Sequence, residues 1–349
     1  MQNTGRILER EVRQRLPRLL AELLDDESVI VEPAERDQRV DFVALDGRGH
    51  RWLVEVKNSG GPGQIADAAQ QLRALKDKHA ISLLVVPFMS SAGAEVAERE
   101  QLNWIDLSGN GHVRAADLYL WVQGRPNELR TKGRPSSPFA PKSARIARTL
   151  LLAPERWWRQ KDLVHATGLD DGNVSRVVRR LEEEMLLERR GLELRPRDPN
   201  VLLDAWAQDY RFDGHDILTG HLSGSGIDLS SKISGQLHGL GVHHAFTGLA
   251  AAWAFDRFAQ FRLSTVYIDT DPREVAEQLG MRPDTRGANV QIVGPNDSGV
   301  FAAEADHDGI RCVAPVQIYL DLLHLPERSA EAAQHLRSLH LRWQGRDAR

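Results

Sequence analysis

The segment VDFVALDGRGHRWLVEVK, residues 40 to 57, constrains the fold of this chain more than any other stretch. Two runs rich in β-branched or aromatic residues flank DGRG, a sequence that favours a tight hairpin turn. A loop centred near Arg48 puts Leu45 opposite Arg51, Val43 opposite Leu53 and Asp41 opposite Glu55. A slip of one residue leaves the last pair diagonal, still within reach of a shared ion. Strand side chains alternate with a period of two, so Glu55 and Lys57 share a face. One small patch then holds two carboxylates and an ammonium.

The flanking segments supply the rest of an α/β domain. Residues 6–24 carry apolar positions at Ile7, Leu8, Val12, Leu16, Leu19, Leu20 and Leu23, a helical spacing interrupted by Pro17. SVIVEP precedes the hairpin as a further strand. IADAAQQLRALKDKH is expected as a helix, ISLLVVPF as a short buried strand and AGAEVAEREQL as a helix. In NWIDLSGNGHV, Asp106 and Asn110 bracket a glycine turn and are expected to form that turn rather than a ligand set.

Two carboxylates so close repel unless a cation lies between them or one is protonated, and oxygen ligands of this kind suit Mg²⁺. A magnesium ion beside a lysine that orients water is the equipment for attack on a phosphodiester. At this point the residues resemble the PD-(D/E)xK nuclease superfamily, to which many restriction endonucleases belong; its Asp, spacer, Glu-x-Lys pattern is met by Asp41, Glu55 and Lys57. The resemblance covers roughly residues 1 to 120. It implies a further acid from the preceding helix, for which Glu9 or Glu11 would stand, and a glutamine from the helix after the Lys strand, for which Gln70 or Gln71 would stand. The motif is short and degenerate, and such folds outlive their chemistry.

The net charge of -4 conceals an asymmetry. From Arg130 to Arg197 there are 16 Lys or Arg against 9 Asp or Glu, a net of +7, which leaves -11 on the remainder. That is the electrostatic footprint of a nucleic-acid-binding module within an acidic protein, although a solvated face can also carry it. GRPNELRTKGRPSSPFAPKS has no apolar period and reads as a linker. ARIARTLLLA, RQKDLVHATGL and DGNVSRVVRRLEEEMLL follow as three short helices, then LERRGLELRPRD as a two-stranded ribbon with Gly191 at its tip. This is the plan of a winged helix-turn-helix. Asp170 or Asp171 caps the third helix. Val174, Val177, Val178 and Leu181 recur at helical spacing and pack inward, leaving Asn173, Ser175, Arg176 and Arg179 to face double-stranded DNA, with Arg189 and Arg190 reaching out from the ribbon. The competing reading is a protein-contact module with its arginines paired to Glu182, Glu183 and Glu184. Winged helices often read two half-sites, so a homodimer is one arrangement open to the chain.

The last third alternates helices such as VLLDAWAQDYRF and GLAAAWAFDRFAQF with strands such as STVYIDT and ANVQIVG. Its Thr-Gly-Leu opening of an Ala-rich helix, its Pro-Val-Gln-x-Tyr-Leu-Asp-Leu helix and its Glu-Ala-Ala run before the last helix resemble the AbiEi family, antitoxins of type IV toxin-antitoxin systems. Members with a winged helix are DNA-binding autorepressors that oppose a partner toxin, so the resemblance implies a transcriptional regulator. Here a nuclease-like domain precedes the winged helix, a departure from the simplest members. GSGID at 224–228 and the acids Asp269 and Asp271 resemble nucleotidyltransferase signatures in poor order and spacing, and read better as turns. His243 and His244 are adjacent and cannot point to one side of a strand.

At 349 residues, two or three domains are expected. One cysteine, Cys312, excludes an internal disulfide and a multi-thiolate zinc site. The N-terminus is too polar for a secretory signal, and no run reaches the ~20 apolar residues that span a bilayer, so a soluble cytoplasmic protein without membrane contact is expected. The expected organisation is multidomain α/β: a restriction-endonuclease-like domain at 1–123, a basic linker at 124–142, a winged helix-turn-helix at 143–200 and a C-terminal AbiEi-type, nucleotidyltransferase-like α/β domain at 201–349. The expected function is a DNA-binding regulator or antitoxin. The alternative is an endonuclease using Asp41, Glu55 and Lys57, with Mg²⁺ held by the two acids.

Overall fold

The computed structural model describes residues 2–35, 40–75, 80–115, 118–128, 137–283 and 286–343, with residues 2–10 described as backbone only. The side chain of Glu9, residues 76–79 of the expected second helix and residues 129–136 of the expected linker therefore lie outside the described residues. The chain forms a mixed α/β structure of two compact units, Met1–Ser136 with Arg179–Glu188, and Ser137–Val178 with Arg189–Arg349. No helix among the described residues is long and apolar enough to cross a membrane.

The first unit opens with α1 (Gln2–Leu24), which runs through Pro17 as one helix. Proline costs a backbone hydrogen bond there, but Val12, Leu16, Leu20 and Leu24 are buried along one face and hold the helix by packing. Then come β1 (Ile30–Pro33), β2 (Phe42–Leu45), β3 (Arg51–Val56), α2 (Pro62–Arg73), β4 (Ala80–Val86), α3 (Ser91–Arg99), β5 (Trp104–Asp106), β6 (Gly111–Ala115) and β7 (Leu118–Val122). The seven strands form one sheet in sequence order. β3, β4 and β5 are parallel neighbours and the flanking pairs are antiparallel.

Alternation along β3 sorts its side chains. Trp52 and Val54 join the core that contains Val12, Leu16 and Leu20 of α1, whereas Ile65, Ala68 and Leu72 of α2 and Val96 of α3 form a separate core with Leu84 and Val86. The sheet is thus sandwiched between helical layers. Gly60, at the turn from β3 into α2, bridges Met89, and a Cβ there would stand 2.1 Å from the Phe88 carbonyl oxygen. Glycine is needed at that close approach. The expected order of helix, three strands, helix, strand and helix is present, extended by β5 to β7. Of these, β5 is only three residues long and buried at every position, so it carries no readable alternation.

Beyond residue 136 the elements are α4 (Ala144–Leu152), β8 (Trp158–Arg159), α5 (Gln160–Thr167), α6 (Asp171–Glu183), β9 (Leu187–Arg190) and β10 (Glu193–Pro196). Strands β8, β10 and β9 form a small sheet in that order. After α7 (Pro199–Asp209) come β11 (Asp216–His221), α8 (Gly226–Gly239), β12 (His244–Thr247), α9 (Gly248–Asp256), β13 (Ser264–Ile268), α10 (Pro272–Gln278), β14 (Arg282–Pro283), β15 (Val290–Gly294), β16 (Ala305–His307), β17 (Ile310–Cys312), α11 (Pro315–Leu322) and α12 (Ser329–His340). Their strands make a second seven-stranded sheet, ordered β14-β11-β15-β13-β12-β17-β16.

Candidate functional site

In the first unit the hairpin register pairs Leu45 with Arg51, Val43 with Leu53 and Phe42 with Val54. Asp41 extends that register: its N–H donates to the Val54 carbonyl at 3.0 Å, and its Oδ2 accepts the Val56 N–H at 2.8 Å. Asp41 is therefore tied to the backbone between Glu55 and Lys57. Glu55 and Lys57 are largely buried, with side chains 13% and 11% exposed, and Lys57 Nζ lies 3.1 Å from Glu55 Oε1. Burial first, and the charge of Asp41 second, raise the Glu55 carboxyl above its ordinary range, against the pull of Lys57.

The parallel crossover from β3 to β4 brings α2 over this face. Lys57 Nζ donates to Gln71 Oε1 at 2.6 Å and to Asp67 Oδ2 at 3.0 Å. Gln71 Nε2 in turn donates to Asp67 Oδ2 at 3.2 Å. Of the two glutamines expected here, Gln71 makes the contact with Lys57; Gln70 is exposed, one position along α2. Glu11 is half-buried on α1. Sequence reasoning passed over Asp67, although its i, i+4 spacing from Gln71 on the helix after the Lys strand is a legible signal. Among the described residues no cluster of three Asp, Glu, His or Cys is arranged to hold a metal.

Asp106 behaves as the turn-former that its sequence suggests. Its Oδ1 accepts from the N–H groups of Ser108 and Asn110, both at 2.9 Å, and its Oδ2 from Asn110 Nδ2 at 2.9 Å and the Met89 N–H at 3.1 Å.

The basic segment exposes Arg176, Arg179, Arg189 and Arg190, whereas Arg148 is buried and Arg145, Arg180, Arg195 and Arg197 are half-buried. Asp170 caps α6 by accepting the Asn173 N–H at 2.8 Å. Val174, Val177, Val178 and Leu181 are buried, Arg176 and Arg179 are exposed and Ser175 is half-buried. Asn173 is also half-buried; its amide closes on Asp170 and accepts from Arg176 Nη2 at 2.8 Å. It serves the helix start rather than standing free. Gly191, at φ 61°, turns the ribbon between exposed Arg190 and β10. Arg189 is exposed as well. The guanidinium carbons of Arg190 and Arg195 lie 4.5 Å and 4.2 Å from the centre of the Trp157 ring, and Arg190 also bonds Glu193 at 3.1 Å. Of the expected pairings with the α6 acids, Arg180 meets Glu183 at 3.9 Å.

The second unit buries a polar cluster that sequence reasoning did not find. The Asp321 carboxylate accepts from Tyr210 and Thr247 hydroxyls at 2.5 Å, from Gln317 Nε2 at 2.8 Å and from the Tyr267 hydroxyl at 3.1 Å. Even so, complete burial pushes its pKa up to about 6. His215 Nδ1 accepts the Asn296 N–H at 3.0 Å, which assigns the ring proton to Nε2, 3.0 Å from the Tyr210 hydroxyl. Burial, with Arg148 nearby, pulls the His215 pKa down to about 4. Arg148, from α4, donates to Gln317 Oε1 at 2.6 Å and lies 5.1 Å from the Trp206 ring centre. Arg145 meets Asp297 through two bonds of 2.8 Å.

Of the nucleotidyltransferase-like residues, Asp271 caps α10 through the Arg273 N–H at 2.8 Å, Asp269 Oδ2 lies 4.0 Å from His243 Nδ1, and Ser225 immediately precedes α8. His243 meets Glu304 at 2.8 Å, whereas His244 lies 3.0 Å from Ser234 Oγ and 2.9 Å from the Val242 carbonyl oxygen. The two rings have separate partners.

Residues 195–341 match the family described as transcriptional regulator, AbiEi antitoxin, type IV TA system. The AbiEi match takes in the second seven-stranded sheet and the Asp321 cluster, and covers less than half of the chain. No curated protein matches the sequence. A solved structure described as "Structure of EndoMS-dsDNA2 complex" aligns at 19% identity over 27% of this chain and 43% of its own, with a TM-score of 0.19. The alignment spans less than half of that protein's length, and so slight a likeness identifies no shared fold.

Proposed function

We propose that this protein is a DNA-binding transcriptional regulator of the AbiEi-like kind, an antitoxin whose partner is a toxin protein. The AbiEi match over residues 195–341 carries this reading. Upstream of it, three helices and a ribbon have the order of a winged helix-turn-helix, and Arg176, Arg179, Arg189 and Arg190 are exposed on it. Guanidinium groups on such elements grip phosphate and read base edges. The residues around Asp41, Glu55 and Lys57 stand as a restriction-endonuclease-like domain that adds DNA grip or protein contacts. The test is fluorescence anisotropy with duplex DNA from the gene's own promoter region. Replacing all four arginines by glutamine abolishes binding in moderate salt; unchanged binding refutes the reading. Co-purification with a neighbouring gene product tests the toxin partnership.

A second reading, a Mg²⁺-dependent endonuclease, is favoured by the convergence of Asp41, Glu55, Lys57 and Gln71 on one face. Mg²⁺ retains several waters and is commonly held by one or two carboxylates plus substrate phosphate, so the pair Asp41 and Glu55 suits it without a third acid. The bound ion would supply Lewis-acid polarisation of the phosphoryl group and a more acidic water. Lys57 would orient the attacking water. Plasmid nicking by the wild type with Mg²⁺, lost in Lys57→Ala, supports this reading; an inert wild type across salt and divalent cations refutes it.

A further inference from the structure

An ammonium has three N–H donors. Lys57 points them at three acceptors on two elements: Glu55 Oε1 on its own strand at 3.1 Å, and Asp67 Oδ2 and Gln71 Oε1 on α2 at 3.0 Å and 2.6 Å. The two helix acceptors are not independent. Gln71 Nε2 donates to the same Asp67 oxygen at 3.2 Å, which fixes the amide with its oxygen toward the ammonium and its nitrogen toward the carboxylate. Both of its polar contacts agree on that orientation. One helical turn separates Asp67 and Gln71, and α2 is anchored beneath them by Ile65, Ala68, Ala69 and Leu72, all buried.

We propose that Asp67 is the positioning residue of the Lys57 site: with Gln71 it holds two of the three ammonium donors on α2, leaving the donor that faces Glu55 as the one available to a water or substrate oxygen. The catalytic consequence rests on the endonuclease reading; the clamp itself does not. Two carboxylates, Glu55 and Asp67, flank one ammonium, so Glu55 can turn to a cation while Asp67 keeps Lys57 paired. Without Asp67, Lys57 and Gln71 lose their shared anchor, and the ammonium is drawn to Glu55 as its remaining charged partner. Lys57 and a cation then compete for the same carboxylate.

The experiment uses the full chain with Asp67→Ala, a substitution the helix tolerates because alanine is its best former, and Asp67→Glu as the conservative rescue. The first readout needs no activity: acetylation of Lys57, followed by peptide mass spectrometry with exposed Lys161 as internal reference. Asp67→Ala is expected to speed Lys57 labelling about tenfold, as loss of one charge-assisted hydrogen bond implies, and Asp67→Glu to restore protection. The second readout is plasmid cleavage with Mg²⁺: Asp67→Ala lowers kcat about tenfold with KM unchanged, because the contact acts on the attacking group and not on DNA affinity. A purely structural role lowers the melting temperature and exposes other sites together with Lys57. Unchanged Lys57 labelling in a folded Asp67→Ala protein overturns the clamp whatever cleavage does. An inert wild type with faster Lys57 labelling in Asp67→Ala overturns the endonuclease reading and supports the clamp.

Discussion

Replacing His215 with glutamine separates two buried titrations of opposite sign in the second unit. His215 falls from 6.5 to about 4 on folding, so its neutral form contributes stability above pH 6.5 that is lost as the pH drops towards 4. Asp321 rises from 3.8 to about 6, so its contribution is full below 3.8 and is lost as the pH climbs through 6. Between pH 7.5 and pH 5 the imidazole lowers stability and the carboxyl raises it, each by about 1–2 kcal/mol, so in the wild type the two largely offset each other. Glutamine cannot charge, yet keeps a donor and an acceptor for Tyr210 and the Asn296 N–H. In His215→Gln the opposing imidazole is gone, and the unit gains about 1–2 kcal/mol on acidification. In Asp321→Asn the imidazole acts alone, and the unit loses about 1–2 kcal/mol over the same range. A chain of two units need not unfold in one step. The assay is therefore hydrogen exchange of the β13 and α11 peptides at the two pH values, corrected for intrinsic rates. If His215→Gln follows the wild-type pH dependence, a neutral buried imidazole is not what shapes it.

Trp157 supports Arg190 and Arg195 through its ring, so Trp157→Ala removes that support from both guanidinium groups at a cost of about 0.5–1 kcal/mol each, read as weaker duplex binding in anisotropy and faster exchange in β9 and β10. Arg176→Gln with Arg179→Gln reduces the slope of log affinity against log salt by about 0.9 for each phosphate that is no longer neutralised, measured by titrating duplex DNA at several salt concentrations.

The legibility of the Asp41, Glu55 and Lys57 patch has a local cause. A tight turn fixes register, and a period of two fixes the face, so the Leu45–Arg51 and Val43–Leu53 pairs in the structure are those expected from DGRG. The buried valines of α6 follow equally from helical spacing. Asn173 is half-buried rather than facing out because side-chain exposure in a helix's first turn depends on the cap: Asp170 turns the amide back upon the helix start. Strand β5 escaped because three buried residues carry no period.

By itself, the sequence determined what local periodicity and turn chemistry can determine: the hairpin and its register, the inward and outward faces of the helices, and the turn built on Asp106. Tertiary structure alone decided which distant residues meet. Asp67 reaches Lys57 because a parallel crossover must carry α2 back across the sheet and bury Ile65 and Leu72 against it. The Asp321 cluster gathers residues from α7 to α11, and Arg148 joins it from α4. Burying such groups is tolerable only when each hydrogen bond finds its partner. Packing of elements far apart in the chain meets that condition at the Asp321 carboxylate, while Arg148 Nε and Nη1 are buried without a hydrogen-bond partner among the described residues; no window of sequence contains such packing.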